Sequence, residues 1–301
     1  MKASVIHQYG GPEVLKYEDY PDPTVGAGQV LVRVAATSIN PIDIGRRSGM
    51  MKEVFPIKFP GILGRDVAGT ILKLGAGVEG FSIGDKVFAV ADQAYAELCA
   101  VPATNLAKVP NGLDVVESAA LPLVITTGYQ LATQSDIKPG QTVLVSGAVG
   151  GVGRAAVYTA KGLGAKVIGG VLKRQLQQAA GLGLDQVIAT DDDNAIANLP
   201  PLDAVANTIR GKTGEVLISQ VKKGGVFASV VGPPANAKDF PSVRIVPVRA
   251  TPDPKALMEF ARAVVDKKFV IPIGLKLPLS DASKGHAAAE KGGIGKVLLM
   301  P

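Results

Sequence analysis

Between Thr142 and Val171 a strand-like run, a cluster of glycines, a helix-like run and a second strand-like run follow one another, and this succession constrains the fold more than any other feature of the chain. The runs are TVLVSG, then Gly147-Ala148-Val149-Gly150-Gly151-Val152-Gly153, then RAAVYTAKGLG, then KVIGGV. An apolar strand, a glycine turn, an amphipathic helix and a second strand make a βαβ unit. Glycines at the turn let backbone amides converge on a diphosphate at the positive end of the helix dipole. The chain holds 36 glycines, so the pattern by itself says little; the strand before it and the helix after it supply the context a dinucleotide loop requires. No Gly-Lys-Ser/Thr closes the loop, which excludes a P-loop. Residues Gly147 to Gly153 are therefore expected to hold a dinucleotide.

The end of the second strand selects between the two nicotinamide cofactors. An NAD site places Asp or Glu there to hold the ribose 2′-hydroxyl. Here the segment reads Gly169-Gly170-Val171-Leu172-Lys173-Arg174-Gln175. It contains no carboxylate, and two cations stand where a 2′-phosphate would sit, so charge-assisted hydrogen bonds favour NADPH. The alternative, that Lys173 and Arg174 open a solvated helix, stays open at this level.

Further apolar runs follow at DQVIAT, LDAVANT, GGVFASVVG and RIVPVRA, so a doubly wound parallel sheet is expected over residues 123–254. Residues 1–122 alternate short β-rich runs with Gly, Pro, Asn and Asp clusters, a pattern that predicts an all-β, barrel-like domain. The helix PKALMEFARAVVDKK and the strand-like GKVLLMP, within residues 255–301, remain to be placed and could return to the first domain. The expected fold is α/β with two domains.

Composition narrows function by exclusion. A formal charge of +6 is carried by dispersed lysines and arginines, and Trp is absent, which argues against a nucleic-acid partner. No apolar stretch approaches the ~18 residues a membrane span needs. The single cysteine, Cys99, excludes an internal disulfide, suits a reducing compartment and is expected to be a small buried apolar residue. With no signal-peptide pattern at MKASVIHQYGG, a cytoplasmic protein is expected.

The chain also resembles the medium-chain dehydrogenase/reductase superfamily, in its zinc-free quinone oxidoreductase (zeta-crystallin-like) branch. The resemblance runs through MKASVIHQYGGPEVLKYED, Gln29-Val-Leu-Val-Arg-Val, Ser38-Ile-Asn40-Pro41-Ile-Asp43, Gly64-Arg65-Asp66-Val-Ala-Gly69, Gly84-Asp85-Lys-Val, Ala120-Leu-Pro-Leu with Thr127, the glycine loop and Gly295-Lys-Val-Leu. It implies a GroES-like β-barrel catalytic domain beside a Rossmann domain. It also implies Asn40 near the nicotinamide ribose and substrate oxygen, and Thr127 on the nicotinamide side, as catalytic and cofactor-binding residues. Read from the residues alone, Asn40 is equally a turn residue before a proline, and Thr127 a helix hydroxyl. The resemblance further implies that Asp43 and Arg65 form an ion pair or anchor backbone, and that relatives associate as homodimers through an edge strand such as RIVPVRA.

Zinc-dependent relatives carry Cys near the position of Asn40 and His near that of Arg65. This chain has neither, and its two histidines, His7 and His286, lie far apart in sequence, so no metal site is expected. Without a metal, a substrate must accept hydride through a conjugated system whose developing oxyanion meets hydrogen bonds. The function expected is NADPH-dependent hydride transfer to a quinone or to an α,β-unsaturated ketone or aldehyde. Two alternatives stand beside it: an NADPH-binding, crystallin-like protein with little catalysis, and a dedicated biosynthetic enone reductase. The segment Ile44–Met51 lacks the tyrosine that relatives carry, which argues against a tyrosine-dependent enoyl-thioester reductase and leaves the substrate pocket wide or apolar at Gly45, Met50 and Met51. Met50, Met51, Val54 and Phe55 form an apolar loop that either lines a pocket or packs on the barrel. Asp191-Asp192-Asp193 reads as a solvated helix cap.

Overall fold

The computed structural model describes residues 1–301, and the chain forms two compact units, Met1–Leu123 with Pro252–Pro301, and Val124–Thr251. The first unit holds strands β1 (Lys2–Ile6), β2 (Lys16–Asp19), β3 (Gln29–Ser38), β4 (Gly61–Ile62), β5 (Asp66–Leu74), β6 (Lys86–Val90), β7 (Leu98–Pro102) and β8 (Leu106–Lys108). The second holds β9 (Thr142–Ser146), β10 (Lys166–Val171), β11 (Gln186–Ala189), β12 (Leu202–Asn207), β13 (Val221–Ser229) and β14 (Arg244–Pro247). Strands β15 (Ile273–Pro278) and β16 (Lys296–Met300) belong to the first unit again.

In the second unit the strands run parallel in the order β11-β10-β9-β12-β13-β14. Side chains alternate between faces along each strand. On β9, Val143 and Val145 enter one core cluster, together with Val167, Ala156 and Ala160. Leu144 enters another, with Ile168, Val205, Phe227 and Leu217. Both faces are apolar because helices cover both, as a parallel sheet requires. The strand order reverses direction at β9, so the loop following β9 sits at the switch point where such sheets bind ligands.

The first unit is a largely antiparallel sheet in the order β15-β16-β3-β5-β6-β8, with β7 also on β3 and a small β2-β1-β4 sheet beside it. The return of the chain is built into the ladder: Leu298 and Leu299 of β16 pair with Ser38 and Thr37 of β3. The all-β expectation for the first 122 residues is corrected by helix α1 (Pro41–Arg47) and the single turn α2 (Val115–Ser118). Pro41 occupies the first helical position, where its missing N–H costs nothing, and the Asn40 backbone N–H donates to Asp43 Oδ2 at 3.0 Å. Those local bonds outweigh the β-rich surroundings. The remaining helices are α3 (Pro122–Gln134), α4 (Gly151–Gly162), α5 (Asp193–Ala197), α6 (Lys212–Ile218), α7 (Pro254–Val265) and α8 (Ala282–Lys291). None is long and apolar enough to cross a membrane.

A polar chain runs through the interior of the first unit where α1 meets α8. Arg47 is 2% exposed; its Nη1 lies 3.1 Å from His286 Nδ1, its Nε donates to the Gly10 carbonyl at 3.2 Å, and its Nη2 donates to Glu290. The guanidinium has no acceptor, so His286 Nδ1 must accept, and Nε2 carries the proton toward the Tyr95 hydroxyl at 3.1 Å. Burial, then the Arg47 charge, push the His286 pKa down to about 3. Burial first, then the neighbouring Asp66 charge, push Asp43 up to about 7. His286 is thus a neutral core histidine.

These two shifts have opposite consequences for stability. Asp43 binds its proton more tightly folded than unfolded, so its contribution is complete below the ordinary carboxylate range and is lost as pH rises from about 4 to 7. His286 stays neutral while the unfolded ring protonates, so its contribution is lost as pH falls from about 6.5 to 3. Between about pH 4 and 6.5 the two slopes oppose each other. We predict that, relative to wild type, Asp43→Asn loses stability as pH falls through this window and His286→Gln gains it, each by up to about 1.4 kcal/mol per pH unit. Urea unfolding at several pH values measures this; slopes of the same sign in both variants would refute it.

Candidate functional site

The glycine loop occupies the end of β9 at the switch point. Gly147 has φ of +64°, in the left-handed region, and a Cβ there would lie 2.5 Å from Thr208 Oγ1. A Cβ on Gly153 would lie 2.1 Å from the Gly147 carbonyl oxygen, so the loop folds flat against the first turn of α4 only because both are glycine. Ala148 is fully buried, and its amide donates to the Gly170 carbonyl at 3.2 Å. Val149 gives its carbonyl to Arg154 Nε at 2.9 Å, and Gly150 donates to the Gly147 carbonyl at 2.9 Å. Gly150 is the N-cap of α4 and no side chain caps the helix. The amides of Gly151, Val152 and Gly153 open the helix, where a diphosphate finds both donors and the positive dipole end. The cradle fits a dinucleotide.

Thr127 stands on α3, half-buried. A Cβ on the next residue, Gly128, would meet the Val152 carbonyl oxygen at 2.3 Å and Ala155 Cβ at 2.6 Å. That close approach packs α3 on the first turns of α4 and brings Thr127 to the neighbourhood of the loop. Its neighbour Thr126 is fully buried with an unpartnered hydroxyl. Lys173 and Arg174 follow β10, both exposed, and they open a seven-residue 3-10 helix, Lys173–Ala179. The Lys173 amide donates to Asp191 Oδ1 at 2.7 Å. Asp192 caps α5 through the amides of Asn194 and Ala195. Thr190 is 6% exposed and bonds the Val171 carbonyl.

A buried polar belt joins the carboxyl ends of three strands, outside the glycine motif. Ser146 Oγ donates to Asn207 Oδ1 at 2.8 Å and accepts from the Thr208 amide at 2.8 Å. Asn207 Nδ2 donates to Ser229 Oγ at 3.1 Å and to the Ile209 carbonyl at 3.0 Å. The signal was present: each apolar run, TVLVS, LDAVAN and GGVFAS, ends in a small polar residue. The belt ties β9, β12 and β13 together beside the cradle.

Asn40 belongs to the first unit and the other expected site residues to the second. Asn40 is 2% exposed and lies among Ser38, Asp66 and Lys296. Asp43 does not pair with Arg65, correcting that half of the expectation; it anchors backbone at Asn40 instead. Arg65 Nε has no partner, and the side chain lines a cavity of about 520 Å³ with Asp92, Gln93 and Cys99. The space beside Gly45 is taken by the apolar Met51 side chain, whose Sδ would lie 2.8 Å from a Cβ there. Met50 and Val54 are 76% and 56% exposed, so these two side chains of the apolar loop do not pack on the barrel. Cys99 is buried, with its thiol pushed up to about 12 by burial and then by Asp92.

Residues 26–111 match the family model described as an alcohol dehydrogenase GroES-like domain, and residues 151–251 that described as a zinc-binding dehydrogenase. The chain is 30% identical over 325 residues to the chloroplast envelope quinone oxidoreductase homolog of Arabidopsis thaliana, covering 100% of this chain and 98% of that protein. It is 30% identical over 315 residues to the chloroplastic NADPH-dependent alkenal/one oxidoreductase of the same plant, covering 100% of this chain and 80% of that one. Among solved structures, the quinone oxidoreductase from Coxiella burnetii superposes with a TM-score of 0.89 at 30% identity, covering 100% of this chain and 99% of that one. Zinc does not fit the residues present despite the second model's description, because no three His, Cys, Asp or Glu side chains converge and tetrahedral zinc needs at least three such ligands. The cytoplasmic expectation is contradicted by these two plant relatives, which are themselves named as a chloroplast envelope and a chloroplastic protein. The lone buried cysteine reports on redox conditions and carries no address. On the family models and full-length relatives together, the chain belongs to the medium-chain dehydrogenase/reductase superfamily, in its quinone oxidoreductase branch.

Proposed function

We propose that the protein is a zinc-independent reductase that uses NADPH to reduce a quinone, or the conjugated double bond of an α,β-unsaturated ketone or aldehyde. The observation that carries this is the cradle of Gly147 to Gly153 at the open N-terminus of α4, with Lys173 and Arg174 at the end of the adjacent strand. The relatives named for quinone and for NADPH-dependent alkenal/one reduction support it. When bound, NADPH supplies a hydride. The loop amides would hold its diphosphate, and Lys173 and Arg174 would hold the 2′-phosphate. Asp191, bonded to the Lys173 amide, offsets part of their charge and makes the preference over NADH moderate. By the family resemblance, Thr127 would contact the nicotinamide side, and Asn40 would lie near the nicotinamide ribose and the substrate oxygen. The proton that completes reduction comes from water.

We further propose a homodimer through β14, the outermost strand of the parallel sheet, whose free edge invites a second copy. Sedimentation at micromolar concentration should give the dimer mass; a monomer alone would defeat this assembly.

The functional reading is tested by NADPH and NADH oxidation with a metal chelator present, against panels of quinones and α,β-unsaturated carbonyls. Chelator-resistant turnover favouring NADPH is expected. Replacing Lys173 and Arg174 by Ala should weaken NADPH about tenfold per cation, as about 1.4 kcal/mol each implies, and leave NADH unchanged. Tight NADPH binding without turnover on either panel would instead favour the cofactor-binding protein, and loss of turnover with chelator would sink the zinc-free mechanism.

A further inference from the structure

Two arginines of the first unit, Arg46 and Arg47, are buried, and each meets a carboxylate: Arg46 Nη1 donates to Asp92 Oδ1 at 2.8 Å, and Arg47 Nη2 donates to Glu290. Arg65 is half-buried and meets none. Its Nε is shut away from water without a partner, and no carboxylate or carbonyl of the protein takes its other N–H bonds. A guanidinium offers five donors and accepts nothing, so a buried N–H left over in this way marks a place for an acceptor from outside the chain. Arg65 lines the cavity of about 520 Å³, and every residue around that cavity belongs to the first unit. The one carboxylate in the wall, Asp92, is committed elsewhere, since its Oδ1 takes both Arg46 and the Gln93 amide, the latter at 3.1 Å. Backbone holds it there. The Arg65 and Gly64 carbonyls accept from the Ala91 and Ala94 amides at 2.9 and 3.3 Å. Between those two bonds Asp92 and Gln93 turn the chain, with Gln93 at φ of +58°, a conformation uncommon outside glycine.

The rest of the wall is mixed. Ile62, Leu98 and Pro23 are apolar, and Gln29, whose Oε1 accepts from the Gly26 amide at 3.0 Å, keeps its Nε2 hydrogens for a further acceptor. We propose that this cavity binds a small organic carboxylate, its anionic end on the Arg65 guanidinium and its apolar body against Ile62 and Leu98. The planar fork of an arginine matches the two oxygens of a carboxylate in a bidentate pair. Charge selects the same class: Arg46, Asp92 and Arg65 together carry one net positive charge, which a monoanion neutralises and a phosphate dianion overshoots. The site lies within one unit and is independent of the reductase reading.

The test uses the full-length protein without cofactor and three probes: benzoate, benzamide of the same shape without the charge, and phenyl phosphate. Binding is read by titration calorimetry, and its place by the backbone amide NMR signals of Arg65, Asp92 and Gln93. Benzoate should bind saturably and move those three signals, benzamide should do neither, and phenyl phosphate should bind more weakly than benzoate. Arg65→Met should lower benzoate affinity about 10- to 100-fold, the worth of hydrogen bonds to a charged group. Arg65→Lys keeps the charge but loses the fork, and should recover only part of that loss. Asp92→Asn should tighten phenyl phosphate more than benzoate. No saturable benzoate binding, shifts that leave those three signals unmoved, equal binding of benzamide, or a folded Arg65→Met variant with wild-type affinity would each overturn the proposal. Tighter binding of phenyl phosphate than of benzoate to the wild type overturns the carboxylate assignment. The wild-type titrations decide even where Arg65→Met fails to fold.

Discussion

A carboxylate removed from water must find donors for its lone pairs, and Asp66 meets that demand with four of them drawn from separate parts of the chain. The Leu123 amide opens α3, Ser38 ends β3, the Asn40 amide precedes α1, and Lys296 begins β16. Burying an ion costs several kcal/mol unless its partners are well placed, and losing one partner is more destabilising than never having had the pair. One side chain thereby ties the end of β3, the start of α1 and the start of β16 to the Leu123 amide. The packing of β3, β5 and β16 around it follows from the ladder; their registration at this point follows from the charge.

The second unit depends on a different kind of constraint. Its cradle is made by backbone, so the determinants are what is missing: no Cβ at Gly147 or Gly153, and no capping side chain at Gly150. A surface built from amides held by β9 and α4 is preformed and has little conformational freedom left to lose. The Ser146, Asn207 and Ser229 belt stiffens the strand ends from beneath.

These differences explain what was legible in the amino-acid order. Local features were. The glycine loop, its flanking strand and helix, and the parallel apolar runs lie within short windows, and the periodicity that builds them is the same periodicity that is visible. Helix α1 was hidden because seven residues bounded by Asn40 and Arg47 are too few to show a period against β-rich neighbours. The charged cluster was hidden for another reason. Asn40 and Asp43 stand out in the sequence, but the partner of the first is 256 residues away, and Lys296, although it belongs to the Gly295-Lys-Val-Leu motif, carries no local sign that it pairs with Asn40. The expected partner of Asp43, Arg65, lines a cavity instead. Pairing among buried charges is decided by topology, and a motif records only the positions.

The same separation along the chain bears on how the protein forms during synthesis. Residues 124–251 contain everything their parallel sheet needs and can collapse as soon as they emerge. The first unit cannot. Until β16 pairs with β3, Asp66 lacks its ammonium, Asn40 lacks the group on its oxygen, and the edge of β3 that β16 will cover stays open. The part of the chain made first is therefore finished last, and the inserted domain is a folded body around which the older segment must wait for its final strand.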